Sequence, residues 1–126
     1  MIPNTEPISN YDGDLYFLSQ NKIDRLYPRV PNNNFTHYGF EDSVTRRVCV
    51  APSIGQCLRA ISLRNEGKIF HVYKPDHIPE VIYKPNEKAV VDADDTGELW
   101  ILEPIGLVEI GTIRCTNDQE FEWIKE

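Results

Sequence analysis

Short runs rich in apolar, β-branched and aromatic residues recur along the chain and predict β-strands. A proline or glycine commonly marks the end of such a run. Six runs fit this pattern: DLYFLS (14–19), RRVCVAP (46–52), KIFHVYKP (68–75), EVIYKP (80–85), ELWILEPIGLVEIGTIRC (98–115) and EFEWIKE (120–126). The fifth run contains Pro104 and Gly106 and therefore predicts two strands. In the sixth run, Phe121 and Trp123 are expected on one face.

One segment has the period of a helix instead. Ile54, Cys57, Leu58 and Ile61 recur at i, i+3, i+4 and i+7 and form one apolar face. Ser53 is placed as an N-cap, with Gln56 completing a capping box, and Gly67 is placed to stop the helix. We therefore predict an α+β fold. It consists of small, strongly bent, mainly antiparallel sheets with one main helix over about residues 53–65.

The length of 126 residues fits a single domain. Residues 1–13 are polar and carry Pro3 and Pro7, which predicts a loose lead-in before an α+β domain over 14–126. The segment YPRVPNNNFTHYGFED (27–42) predicts a long loop, and long loops in compact domains often carry function.

The net charge of −7 argues against free nucleic acid as a partner, since phosphate binding needs a positive field. An acidic protein can still carry a local basic patch. No run of about 18 apolar residues predicts a membrane span, and the start lacks the features of a secretory signal. The three cysteines match no zinc spacing, so we expect no metal site and reduced thiols in a cytoplasmic protein.

Three runs follow one another in an informative order. LYFLS is a strand that ends in a hydroxyl residue, RVCVAPSIGQCLRAI is a strand, a turn and a helix, and TGELWILEP places a glutamate at the start of a strand. Over roughly residues 14 to 113, this order resembles the ADP-ribosyltransferase-like fold of the poly-ADP-ribose polymerases and the rifampicin ADP-ribosyltransferases. The resemblance implies NAD as a substrate, with no tightly bound cofactor.

The resemblance also implies a set of site residues. Glu98 matches the catalytic glutamate, whereas Phe17 stands where the family has a His and Cys49 where it has a Tyr. Phe17 can stack on a ligand but cannot donate a hydrogen bond, and Cys49 offers little aromatic area. Either the site has been rebuilt, or the fold has lost its chemistry and kept a binding role. The expected ligand-binding set is Tyr16, Phe17, Ser19, Arg29, Cys49 and Ser53.

Each of these residues also has a purely structural interpretation. Glu98 follows DADDTG and fits a solvated carboxylate at a turn equally well, and Ser19 fits the end of a strand. Ser53 either caps its helix or offers the helix start to an anion. Arg29 could bind a diphosphate through two parallel N–H hydrogen bonds from its guanidinium. Arg46 and Arg47 could do the same, although pairing with Glu41 and Asp42 is the favoured interpretation for both.

Two functions from different classes remain open at this point. The first is a divergent ADP-ribosyltransferase-like protein that binds NAD or a related nucleotide, with or without transfer of ADP-ribose. The second is a non-catalytic protein of the kind found in phage or mobile elements, which binds another protein through its acidic surface.

Overall fold

The computed structural model describes residues 4–30, 35–36, 39–40, 45–61, 64–90, 93–117 and 120–124. The main helix is α1 (Ile54–Ile61), and a single helical turn, α2 (Ala93–Thr96), precedes Glu98. The strands are β1 (Thr5–Ser9), β2 (Phe17–Ser19), β3 (Arg25–Leu26), β4 (Phe35–Thr36), β5 (Gly39–Phe40), β6 (Val48–Val50), β7 (Ile69–Pro75), β8 (Val81–Pro85), β9 (Leu99–Ile101), β10 (Ile105–Cys115) and β11 (Phe121–Trp123). The fold class is therefore α+β, as the sequence predicts.

Two sheets contain most of these strands. Sheet I has four strands in the order β1-β8-β9-β6, and sheet II has the order β11-β10-β7-β2, with β3 also paired to β10. The pairings within both sheets are antiparallel. Within the segment predicted as a long loop, β4 and β5 pair with each other, and residues 31–34, 37–38 and 41–42 lie outside the described part.

Two pairs of backbone contacts join the sheets. Tyr16, next to β2, exchanges both hydrogen bonds with Ala51, next to β6, at 2.8 and 3.2 Å. Arg29 and Arg47 exchange a second pair at 3.0 and 3.1 Å. The first bridge places the start of β2 beside the end of β6, and the second joins the segment after β3 to the residue before β6.

Within the described ranges, apolar side chains form three clusters, which we name by their position. The inner cluster contains Leu15, Val48, Val50, Ile82, Leu99, Ile101 and Ile105. The α1 cluster contains Leu18, Ala51, Ile54, Cys57, Leu58, Phe70, Val72, Ile113 and Cys115. The tryptophan cluster contains Ala89, Val90, Ala93 and Trp100.

The strand period decides which cluster each side chain joins. Val48 and Val50 on β6 belong to the inner cluster, whereas Cys49 between them packs against the tryptophan cluster and Ala51 belongs to the α1 cluster. Successive side chains of a strand point to opposite faces. The α1 and tryptophan clusters therefore share one side of β6, which we call the helix side, and the inner cluster lies on the other.

Two expectations differ from the structure. Residues 1–13 were expected to be a loose lead-in, but Thr5–Ser9 forms β1, which pairs with β8 over five positions. Helix α1 was expected to extend to about residue 65, but the described helix covers Ile54–Ile61 and residues 64 and 65 are not helical. The buried side-chain amide of Asn65 donates to the Leu58 carbonyl at 3.2 Å and so satisfies a carbonyl near the helix end. Across the described residues, no helix has the length and apolar character needed to cross a membrane.

Candidate functional site

Glu98 is the residue from which the candidate site is built, and it lies on the helix side of sheet I. It precedes β9, where Leu99 belongs to the inner cluster and Trp100 to the tryptophan cluster. Glu98 and Trp100 are two residues apart on extended chain, so their side chains share a face. Glu98 retains only 9% of its surface exposure, and Trp100 retains none.

A hydrogen bond holds the Glu98 carboxylate in place. The Trp100 indole Nε1–H donates to Glu98 Oε2 at 2.6 Å, within the buried part of the protein. The backbone N–H of Glu98 donates to the Thr96 hydroxyl at 3.3 Å, which also fixes the main chain. These two contacts fix the position of the Glu98 carboxyl group beside the indole.

Arg47 covers the same indole ring. Its guanidinium carbon lies 4.3 Å from the ring centroid of Trp100, and the residue is 2% exposed. Its Nη1 donates to the Thr45 carbonyl at 2.9 Å. A cation over an indole is attracted by the ring's negative face. We call Arg47, Trp100 and Glu98 the Arg–Trp–Glu stack.

Helix α1 contacts this region through its N-terminal cap. The Ser53 hydroxyl accepts a hydrogen bond from the Gln56 N–H at 3.2 Å and donates to Gln56 Oε1 at 2.9 Å. The Gln56 amide in turn packs directly against Gly97, which has φ +64° and no room for a Cβ atom. The capping role predicted for Ser53 is therefore confirmed, and its hydroxyl is engaged within the protein. The same cap positions the turn that leads into Glu98.

Three of the other predicted ligand contacts lie close to this side. Cys49 pairs directly with Trp100 across β6 and β9 and packs against the tryptophan cluster. Tyr16 packs against the α1 cluster beside Ala51. The side chain of Arg29 is exposed, and its backbone is bonded to that of Arg47. Tyr16, Cys49, Ser53 and Glu98 are thus all placed on the helix side.

Phe17 and Ser19 are not placed with them. Phe17 pairs with Tyr73 on β7 and packs against the inner cluster, on the opposite side of the sheet from Cys49. Ser19 is two residues further along the same strand, and its hydroxyl accepts a hydrogen bond from the Asn21 N–H at 3.1 Å. The structure therefore does not bring positions 17, 49 and 98 together. Tyr16, one residue earlier, is the aromatic residue of β2 on the helix side.

The proposed pairing of Arg46 and Arg47 with Glu41 and Asp42 cannot be followed, because residues 41 and 42 lie outside the described part. A groove of about 230 Å³ lies at the paired ends of β1 and β8 and contains none of the predicted site residues. In the part of the chain that the structure describes, no group of three or more His, Cys, Asp or Glu side chains could hold a metal ion.

Sequence reasoning missed Trp100 and the stacked position of Arg47. The signal was present, since Trp100 follows Glu98 by two residues and Arg47 precedes Cys49 by two, spacings that place strand residues on one face.

A buried thiol, that of Cys57, lies near Tyr16. Burial raises the pKa of the Cys57 thiol to about 12, and the thiol donates to the Tyr16 carbonyl at 3.3 Å.

Comparisons with protein families, curated proteins and solved structures give no match for this chain.

Proposed function

We propose that the protein binds NAD or a related nucleotide on the helix side of the sheets, with Glu98 next to the ribose of the ligand. The supporting observation is the fixed carboxylate of Glu98, held by Trp100 at 2.6 Å while Arg47 covers the indole. A carboxylate that is already oriented needs little reorganisation when positive charge develops beside it. The resemblance of the chain to ADP-ribosyltransferase-like proteins suggests the class of ligand.

The chemistry of that ligand gives Glu98 a defined role. Cleavage of the bond between nicotinamide and ribose builds positive charge on the ribose, and a nearby carboxylate stabilises it. The resemblance also calls for a His at position 17 and a Tyr at position 49, where this chain has Phe17 and Cys49. Phe17 lies on the far side of the sheet, and Tyr16 is the aromatic residue available on the helix side. We therefore propose nucleotide binding as the primary function. Binding and turnover require separate tests.

Binding is tested by thermal unfolding with NAD and with ADP-ribose. A ligand present at one hundred times its dissociation constant adds about 2.7 kcal/mol of stability. For a domain of this size, that is a rise in Tm of roughly 10 °C. No rise in Tm at millimolar concentrations of either nucleotide would contradict the proposal.

Turnover is tested by mass spectrometry of released nicotinamide. Wild-type protein is compared with Glu98→Gln, and Glu80→Gln serves as a control because Glu80 is exposed and lies in the turn before β8. Release that is lost only in Glu98→Gln supports a catalytic carboxylate. Equal release by all three proteins excludes Glu98 from catalysis and leaves binding as the function.

A second function is favoured by a different surface. Val108 and Ile110 on β10 and Trp123 on β11 are 52%, 42% and 47% exposed. Exposed apolar side chains on two paired strands of a protein of net charge −7 suit a protein partner with an apolar centre and a basic rim.

Immobilised wild-type protein should then retain a partner from a cell extract at low salt. The immobilised variant Trp123→Ser should not retain that partner. Retention by the wild type should weaken as salt rises, because exposed charges are screened. If both proteins retain the same partners, this surface does not serve as the binding site.

A further inference from the structure

Within the described ranges, each of the two large sheets has one outer strand with no neighbour on its far side. Strand β1 is the outer strand of sheet I, and β11 is the outer strand of sheet II. The opposite edges, β6 and β2, are joined by the bridge between Ala51 and Tyr16. An outer strand presents main-chain N–H and C=O groups to solvent, so a strand of another chain can pair with it.

The edge of β1 lacks a hydrogen-bond donor at its centre. The Asn10 N–H, next to β1, donates to the Glu80 carbonyl at 3.1 Å and so points toward β8. Because main-chain groups alternate in direction along an antiparallel strand, Ile8 also faces β8, and Pro7 faces away from it. Proline has no N–H, so the central outward position of β1 offers no donor. This edge is therefore poorly suited to pairing.

The edge of β11 carries donors and acceptors along its whole length. The Glu120 carbonyl and the Ile124 N–H, which flank β11, bond to the residue after β10 and to β10 itself, each at 2.9 Å. By the same alternation, Glu122 faces β10, whereas Phe121 and Trp123 turn their N–H and C=O groups outward. Neither is a proline, so β11 presents two donors and two acceptors to a neighbouring strand.

The side chains of β11 are divided between the two faces of the sheet. Phe121 packs against the α1 cluster, and its ring lies edge-on to the Trp123 ring with the centroids 6.2 Å apart. Trp123 lies over Gly111 and remains 47% exposed. On the other face, Glu122 pairs with Arg114 of β10 at 3.7 Å. One face of this edge is therefore aromatic, and the other carries one charge of each sign.

We infer that β11 pairs antiparallel with β11 of a second copy of this protein, about a twofold axis at Glu122. Phe121 of each copy then lies opposite Trp123 of the other, and their outward groups form four backbone hydrogen bonds. A twofold contact requires a surface that complements itself, and the order Phe121, Glu122, Trp123 meets this requirement. Sheet II becomes one continuous sheet across the dimer.

The side chains are compatible with this register on both faces. Aromatic residues that lie opposite each other stabilise paired strands, and the register forms two such pairs, each between Phe121 and Trp123. Like charges directly opposite each other oppose pairing, and the two Glu122 carboxylates meet at the axis. Each of them already has Arg114 at 3.7 Å, so the charged face holds two positive and two negative groups. The repulsion at the axis is thereby compensated within the dimer.

The dimer should be weak, and salt should strengthen it. A ladder of three residues buries much less than the roughly 1,200 Å² of a stable interface. Two copies of net charge −7 also repel each other, and salt screens that repulsion. A basic-rimmed partner that binds through Trp123 would instead be lost as salt rises. The direction of the salt effect therefore distinguishes a second copy from a different protein.

Cross-linking through an introduced cysteine tests the register. The two residues at position 122 should form a non-hydrogen-bonded pair with Cα atoms about 4.5 Å apart, within reach of a disulfide. On mild oxidation at about 1 mM protein, where a dimer with a Kd of about 1 mM is half formed, Glu122→Cys should give a covalent dimer. Glu120→Cys is the matched control, since its two copies should lie about 13 Å apart along the strands. The wild type controls for cross-linking through Cys49, which is partly exposed.

Sedimentation velocity measures the dimer without a cross-link. Raising the salt from about 0.1 M to about 1 M should increase the dimer fraction, because the screening length falls from about 10 Å to about 3 Å. Trp123→Ser should lower the association constant about tenfold through loss of both aromatic pairs, whereas Tyr27→Ser, at another exposed aromatic residue, should leave it unchanged. Arg114→Gln should lower it more than Arg25→Gln, which makes the same change of charge away from β11.

Three results would overturn the inference. One is a wild type that stays monomeric at about 1 mM protein in low and in high salt. Another is cross-linking of Glu120→Cys to the same extent as Glu122→Cys. The third is self-association that Trp123→Ser leaves unchanged or that salt weakens. Circular dichroism of each variant confirms that the fold is retained, as expected for the exposed positions 120, 122 and 123.

Discussion

The Arg–Trp–Glu stack makes Trp100→Phe the most informative substitution in this protein. Phenylalanine keeps an aromatic ring under Arg47 but has no N–H to donate to Glu98. The Glu98 side chain then loses the hydrogen bond from the indole at a position that is 9% exposed, where water replaces the lost donor poorly. The matched control is Trp123→Phe, the same chemical change at a ring that is 47% exposed.

The expected loss of stability follows from these contacts. Removing a buried hydrogen-bond donor from its acceptor costs about 1–3 kcal/mol, and the smaller ring leaves unfilled volume that costs about 1 kcal/mol more. Trp100→Phe should therefore lower the free energy of unfolding by roughly 3 kcal/mol. That is a large part of the 5–15 kcal/mol typical of a domain. Trp123→Phe should cost less than about 1 kcal/mol, since exposed substitutions have small effects.

Urea unfolding followed by far-ultraviolet circular dichroism measures the difference. With a slope of about 2 kcal/mol per molar urea, Trp100→Phe should move the midpoint down by about 1.5 M. If the two tryptophan variants unfold within 0.3 M of each other, roughly 0.6 kcal/mol at that slope, the stack does not stabilise the fold as described. A double-mutant cycle with Glu98→Gln then isolates the pair, for which a coupling of about 0.5–3 kcal/mol is expected.

Three further predictions concern the cap of α1 and the core. Gly97→Ala should destabilise the protein more than Gly67→Ala in urea unfolding, because both have positive φ but only Gly97 also packs against the Gln56 side chain. Ser53→Ala should cost about 1 kcal/mol in the same assay, and Ser53→Asp should restore most of it, since aspartate also caps helices. The Cys57 thiol should resist alkylation at pH 8 until urea unfolds the protein, as read by peptide mass spectrometry. Because burial raises its pKa from 9.0 to about 12, the free energy of unfolding should fall as the pH rises above about 9, and less steeply in Cys57→Ala.

Much of the fold could be predicted where the sequence gives strong local signals. Strands β7 and β8 were predicted to within a residue, because each is an apolar, β-rich run that ends at a proline, Pro75 or Pro85. The two strands around Pro104 and Gly106 were predicted for the same reason. The start of α1 followed from the pairing of Ser53 with Gln56, which is local in sequence.

Strand β1 could not be predicted in this way. Its sequence, TEPIS, is mostly polar and contains Pro7, which usually argues against a strand. The strand lies at the edge of sheet I, where a missing N–H can face solvent, and it forms only by pairing with β8 far along the chain. Such long-range pairing has no signal in a local window of sequence.

The candidate site depended on a finer detail than the strand assignments. Tyr16 and Phe17 were both placed on the first strand, but a shift of one residue moves a side chain to the opposite face of a sheet. Phe17 therefore faces the inner cluster, and Tyr16 faces the helix side with Cys49 and Glu98. The presence of β2 was readable from its apolar run, whereas its orientation required the bridge between Tyr16 and Ala51.

The bridges at Tyr16–Ala51 and Arg29–Arg47 have a consequence for cooperativity. Each contributes two backbone hydrogen bonds between the sheets, so parting the sheets at these positions requires four bonds to break. The amide protons of these four residues should exchange with solvent only when the whole domain unfolds. Any movement short of global unfolding should therefore leave the two sheets joined at these positions.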